Sequence, residues 1–290
     1  MSAPLPICYL NGDYGPLAEA RVSPLDRGFL FGDAVYEVVP VYGGRPFRLR
    51  QHLERLDRSL AAIRMTAPLA HTEWGRICQE LISRNSGVDA YLYIQVTRGA
   101  EFGRNHAWPE GLAPTIFAYA TALEPVSPTL LRGVAAVTAA DTRWARRDIK
   151  STALLANILL KKLSADAGAY ETIMLEDGKL TEGSSTTVHT VKKGIIRTPP
   201  NGRHILPGTT RDVVSELAGR LGLPTETGEV SEAELRAADE IWLAFATRGI
   251  LAVTTLDGSR VGNGEPGPIF TRMRAAFTDY IRELAGTPAL

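Results

Sequence analysis

A chain of 290 residues with 44% hydrophobic and 22% charged residues has an ordinary globular composition and is long enough for two domains. Lys plus Arg and Asp plus Glu are both 32, so the formal net charge is zero, which argues against nucleic acid as the main partner because phosphate binding needs a basic surplus. Cys8 and Cys78 lie far apart, no apolar run can span a bilayer, and "MSAPLPICYLNGD" has no leader-like pattern; the expectation is a cytoplasmic protein with no disulfide framework, metal site or membrane contact.

In chain order, "VYEVVPVYGGRPF" is β-branched and aromatic on both sides of Gly43-Gly44 and predicts a hairpin. "RLRQHLERLDRSLAAIRM" places Leu53, Leu56, Leu60 and Ile63 on one face of a helix, and "EWGRICQELISRN" predicts a second helix. "AYLYIQVTRG" and "PTIFAYATAL" predict buried strands. The proline-bearing stretch around "EPVSPTLLRG" suggests a linker at 121–132, between an N-terminal smaller α/β domain at 1–120 and a C-terminal larger domain at 133–290. There, "GVAAVTAA" predicts a strand, and a helix from Ser151 has Leu155, Ile158, Leu159 and Leu163 on one face. "ETIMLEDGKLTEG" predicts a hairpin, "GIIRTPP" a short strand, "LPGTTRDVVSELAGRLG" a turn feeding a helix, and "EIWLAFATRGILAV" a strand pair. A last helix uses Ile269, Met273, Phe277, Tyr280 and Leu284. Hairpins rather than regular βαβ units favour an α+β fold. Neither GxGxxG nor GxxxxGK[ST] occurs.

Three stretches carry candidate chemistry. In "DTRWARRDIKSTALL", Lys150 stands at a predicted helix start near Arg143, Arg146 and Arg147. The helix dipole and the like charges would depress its amine pKa from roughly 10.4, as Schiff-base chemistry requires, while Asp148 opposes the effect. A surface lysine at a helix start is the plain alternative. In "LPGTTRDVV", free amides and the hydroxyls of Thr209 and Thr210 could cradle an anion or be ordinary capping. In "LTEGSSTTVH", Glu182 reads as a turn glutamate or as a carboxylate aimed at a cationic ring nitrogen. Together the three meet the needs of pyridoxal phosphate: an aldehyde partner, a phosphate cup and a pyridinium partner.

"RGFLFGDAVYEVV", "HLERL", "DIKS", "TEGSS" and "PGTTRDVV" occur in the order seen in fold-type IV pyridoxal-phosphate enzymes, and their spacing most resembles the D-amino acid transaminases of that group. The resemblance covers nearly the whole chain. It implies two α/β-type domains with pyridoxal 5'-phosphate between them, and a homodimer. By this resemblance Lys150 is the Schiff-base lysine and Glu182 the partner of the pyridine nitrogen. Arg55, Thr209, Thr210, Ala246 and Thr247 are phosphate contacts, and Leu206 packs near the ring. Tyr36, Arg104 and His106 hold the substrate carboxylate, the loop of the last two coming from the neighbouring subunit. Arg143 supports the cofactor environment, with Glu37 or Glu182 as its candidate partner, while Arg146 and Arg147 read as a solvated edge.

Three departures stand out: a trap loop one residue longer than the pattern, Thr187 in place of asparagine, and Arg248 in place of a small polar residue. Arg248 is a candidate for a second carboxylate. The activity implied is transfer of an amino group from a D-amino acid to a 2-oxo acid. Alternatives on the same fold are a branched-chain aminotransferase, an (R)-selective amine transaminase and an aminodeoxychorismate lyase. A non-catalytic metabolite-binding protein is the alternative of another class, and would lack the yellow colour of the enzyme.

Overall fold

The computed structural model describes residues 3–286. The β-branched and aromatic runs of the first 124 residues form β1 (Pro4–Leu10), β2 (Asp13–Pro16), β3 (Ala34–Tyr42), β4 (Arg45–Pro46), β5 (Ala90–Thr97) and β6 (Thr115–Ala122), with helices α1 (Arg27–Phe31), α2 (Leu49–Ala62) and α3 (His71–Arg84). The strands pair antiparallel in the order β2-β1-β6-β5-β3-β4. Leu53, Leu56 and Leu60 of α2, with Trp74 and Leu81 of α3, share one core with Val39, Leu92 and Ile94 of the sheet. The predicted three- and four-residue steps are thus the buried face of α2.

The remaining elements are α4 (Pro128–Leu131), β7 (Val134–Ala140), α5 (Leu155–Asp166), β8 (Glu171–Glu176), β9 (Lys179–Gly183), β10 (Thr187–Lys192), β11 (Ile195–Thr198), α6 (Thr209–Arg220), β12 (Thr225–Thr227), α7 (Glu232–Arg236), β13 (Glu240–Phe245), β14 (Gly249–Leu256), β15 (Ser259–Arg260) and α8 (Pro268–Gly286). A second sheet runs β12-β11-β10-β13-β14-β7-β8-β9, with β15 on β14. The β11–β12, β14–β7 and β7–β8 pairs are parallel and the others antiparallel, so the class is α+β. Asp177 and Gly178 both have positive φ (50° and 73°), which closes the predicted β8–β9 hairpin.

The chain packs as two units. The first takes the residues up to Glu124, Ile149–Ala153 and the residues from Arg282 on; the second takes Pro125–Asp148 and Leu154–Ile281. The sequence reading put 133–290 into one domain. Instead, Ile149 is buried in the core of the first unit, and Arg45 Nη1 donates to the carbonyl of Leu284 at 3.1 Å. The helix expected from Ser151 begins only at Leu155, without a side-chain cap. Its apolar stripe is exposed on the single chain, with Leu155, Ile158 and Leu159 at 71%, 61% and 63%.

Candidate active site

Two groups of side chains, one in each unit, carry the candidate chemistry. In the first unit, residues 150–152 run beside the start of β3. Tyr36 N–H donates to the Lys150 carbonyl at 2.9 Å, Thr152 N–H donates to the Ala34 carbonyl at 3.0 Å, and Ser59 Oγ of α2 accepts from Lys150 N–H at 3.2 Å. Lys150 is therefore pinned by a strand rather than placed at a helix N-terminus, which corrects the sequence reading. Its Nζ lies 4.3 Å from the centre of the Tyr36 ring and makes no ion pair among the described residues. The neighbouring arginines are also not the free cations the sequence suggested. Arg143 is bound to Asp141 and Glu182, Arg146 to Asp148, and Arg147 to Glu176. Arg147 is moreover buried, not part of a solvated edge.

One residue past Tyr36, Glu37 is fully buried. Arg55 grips it with two bonds, Nε to Oε1 at 2.7 Å and Nη2 to Oε2 at 2.8 Å, and His52 Nδ1 meets Oε2 at 2.7 Å. Burial alone would raise the Glu37 carboxyl; the charge and hydrogen bonds of Arg55, with His52, outweigh it and hold it well below the usual carboxylate range. Burial likewise pushes His52 down. Its Nε2 is buried without a hydrogen-bond partner among the described residues. Arg55 and His52 share a face of α2 because they stand three residues apart.

In the second unit, Glu182 is the last residue but one of β9. Arg143 Nη1 binds its Oε1, and Leu206 N–H donates at 3.3 Å to Oε1 and 3.2 Å to Oε2. Arg143 is shared, since Asp141 takes Nε at 3.0 Å and Nη2 at 2.7 Å. Burial raises the Glu182 carboxyl, the nearby Asp141 adds to this, and the half-share of Arg143 does not cancel it. Oε2 is the less occupied oxygen of Glu182.

Thr209 and Thr210 open α6, whose N-cap is Gly208 and so offers no capping side chain. Amides at such a start point at whatever anion arrives. A Cβ on Gly208 would stand 2.6 Å from Thr187 Oγ1, so the threonine found in place of asparagine packs against this turn. Ala246, Thr247 and Arg248 form the turn between β13 and β14 and are all half-buried.

Arg104 and His106 lie back in the first unit, on an exposed loop after β5. Gly99 starts the loop with φ 96°, and a Cβ there would collide with the Ala113 carbonyl at 1.9 Å.

The residues fit pyridoxal phosphate in kind: an amine without an ion pair among the described residues, a buried carboxylate with Oε2 its less occupied oxygen, and a helix start whose N-cap is glycine. Sequence reasoning missed His52, Ser59 and Asp141. His52 could have been found from its three-residue spacing to Arg55. Asp141 and Ser59 act through contacts that no motif encodes.

The pattern of the amino-transferase class IV family matches residues 34–256. The D-alanine aminotransferase of Bacillus licheniformis is 38% identical over 271 residues, covering 93% of this chain and 95% of that one. Among solved structures, the branched-chain amino acid aminotransferase of Escherichia coli superposes with a TM-score of 0.90 at 26% identity, over 96% of this chain and 95% of the other. The branched-chain aminotransferase of the archaeon Thermoproteus uzoniensis, solved with norvaline, gives 0.87 at 26% identity, over 96% and 95%.

Proposed function

The chain belongs to the amino-transferase class IV family, and on that premise we propose that it moves the amino group of a D-amino acid, of the D-alanine or D-glutamate type, to a 2-oxo acid with pyridoxal 5'-phosphate. The observation that carries the chemical part is Lys150, strapped to β3 with an amine that no carboxylate among the described residues claims. When bound, the cofactor supplies an aldehyde carbon for an amine and a protonated ring that takes up the electron pair left when substrate Cα loses its proton. Lys150 Nζ takes that proton and returns it. Glu182 keeps the ring nitrogen protonated, with Oε2 as its less occupied oxygen. Arg143 orients Glu182, and Glu37 fixes the guanidinium plane of Arg55. Arg55, the start of α6 at Thr209 and Thr210, and Ala246 with Thr247 hold the phosphate; Leu206 packs near the ring.

For the substrate, Tyr36, Arg104 and His106 hold the α-carboxylate, and Arg248 the second carboxylate of D-glutamate. Losing an arginine from a desolvated charge pair costs roughly 2–5 kcal/mol, or about tens to thousands in kcat/KM. Arg104→Ala is expected to show this loss with D-alanine. Arg248→Ala should be milder there and worse with D-glutamate. A larger loss from Arg248→Ala with D-alanine would move the carboxylate site. The TM-score of 0.90 to a branched-chain enzyme supports a second reading, an aminotransferase for branched L-amino acids. A panel of D- and L-amino acids with one 2-oxo acid acceptor separates the two, and preference for L-leucine would sink the first.

We also propose a homodimer in the cytoplasm. Support for the dimer comes from the exposed apolar stripe of α5, which a second copy would cover, and from the outward-facing loop of Arg104 and His106, which would serve the partner's substrate. Replacing Leu159 by Lys is expected to shift sedimentation toward monomer and to lower activity with it. A wild-type chain that sediments as a monomer while fully active would remove this part of the reading. Cell fractionation checks the location.

A further inference from the structure

The loop after β5 exposes every residue from Phe102 to Glu110 and has no regular secondary structure. One buried side chain reaches its backbone at two points. Arg27, 2% exposed, donates from Nη1 to the Asn105 carbonyl at 2.6 Å and from Nη2 to the His106 carbonyl at 3.1 Å. Nη1 also binds Glu101, and Nε binds Asp33 Oδ2 at 2.9 Å. Arg98 takes the other side of Asp33, with Nε to Oδ2 at 2.7 Å and Nη2 to Oδ1 at 3.0 Å, and its Cζ lies 3.9 Å from the centre of the Trp108 ring. Two cations and two carboxylates thus balance beneath the loop. Phe31, at the end of α1, carries Arg27 over its ring at 4.7 Å and Arg104 at 5.1 Å, and meets His106 edge-on at 5.5 Å.

We propose that Arg27 is the positioning residue of this loop: by gripping the carbonyls of Asn105 and His106 it sets where Arg104 and His106 present their side chains to the substrate carboxylate. The inference rests on the reading of Arg104 and His106 given above. Arg27 needs its planar fork for this, because an ammonium has one nitrogen to offer and two separate carbonyls to reach.

The test uses the holoenzyme and D-alanine. Misplacing a binding group by about 1 Å costs up to about 100-fold, so Arg27→Lys is expected to lower kcat/KM roughly 10- to 100-fold. In an Arg104→Ala background the same change should add less than about threefold, since both act through one contact. Amide hydrogen exchange at 104–108 should quicken in Arg27→Lys. Losses that multiply, or unchanged exchange, would overturn the proposal. If Arg104→Ala is damaging and Arg27→Lys is silent, the positioning role alone fails. If Arg104→Ala is silent, the carboxylate reading fails, and exchange still decides whether Arg27 holds the loop. Should Arg27→Lys not fold, Glu101→Gln is the second variant, with the same direction of change and the same masking by Arg104→Ala.

Discussion

Lys150→Ala, loaded with cofactor, is expected to lose transamination altogether, and borohydride reduction of the wild-type holoenzyme should leave the reduced cofactor on the peptide that carries Lys150. Proton transfer by a positioned base alone is worth about 10²–10⁴ in rate, and the covalent role adds to this. The chain has six lysines. Four of them are claimed: Lys161 by the Tyr170 carbonyl and Glu171, Lys162 by Asp166, Lys179 by Glu229, and Lys192 by Asp239. Lys193 sits in a turn with φ 50°. Lys150 has its backbone fixed on both sides and its amine against the Tyr36 ring, with no carboxylate bound to it among the described residues. Reduced cofactor on any other lysine would reassign the role. Full activity in Lys150→Ala would remove it.

Lys150 also shows how a motif and a local argument drawn from the same stretch can part. The motif "DIKS" singled it out, but the argument from a helix start and three free arginines fails, because α5 begins only at Leu155 and each arginine has a carboxylate. Those pairings are long-range or depend on backbone turns, and charge density along a sequence does not reveal them. Periodicity served better where burial is one-sided: Leu53, Leu56 and Leu60 of α2 are buried as their spacing predicts. It misled at α5, where the same pattern marks a face left open on the single chain. The β1–β2 hairpin, closed by Asn11-Gly12, was legible by the same turn rule that found β8–β9, yet its short second strand "DYGP" has no alternation to betray it. Arg147 and His52 were hidden for another reason: a charged or polar side chain is read as exposed until its buried partner is known, and Glu176 and Glu37 are 29 and 15 residues away in sequence.

Glu182→Gln should keep its fold and its cofactor yet lose on the order of 10²–10³ in kcat, the scale seen when one preorganised group that stabilises developing charge is removed. The fold should hold because a glutamine oxygen can still accept from Leu206 N–H, and because Arg143 keeps its two bonds to Asp141. The rate should fall because an amide cannot hold a proton on the ring nitrogen. The buried carboxylate now shares one guanidinium with Asp141, and burial pushes its pKa up. Glu182→Asp is the companion variant: it keeps the charge on a shorter arm and should fall between wild type and Glu182→Gln. The comparison needs kcat with D-alanine at full cofactor loading, together with the thermal midpoint of each variant. Near-normal kcat in Glu182→Gln would sink the role. Equal losses in both variants with unchanged midpoints would mean that reach, not charge, is what Glu182 supplies.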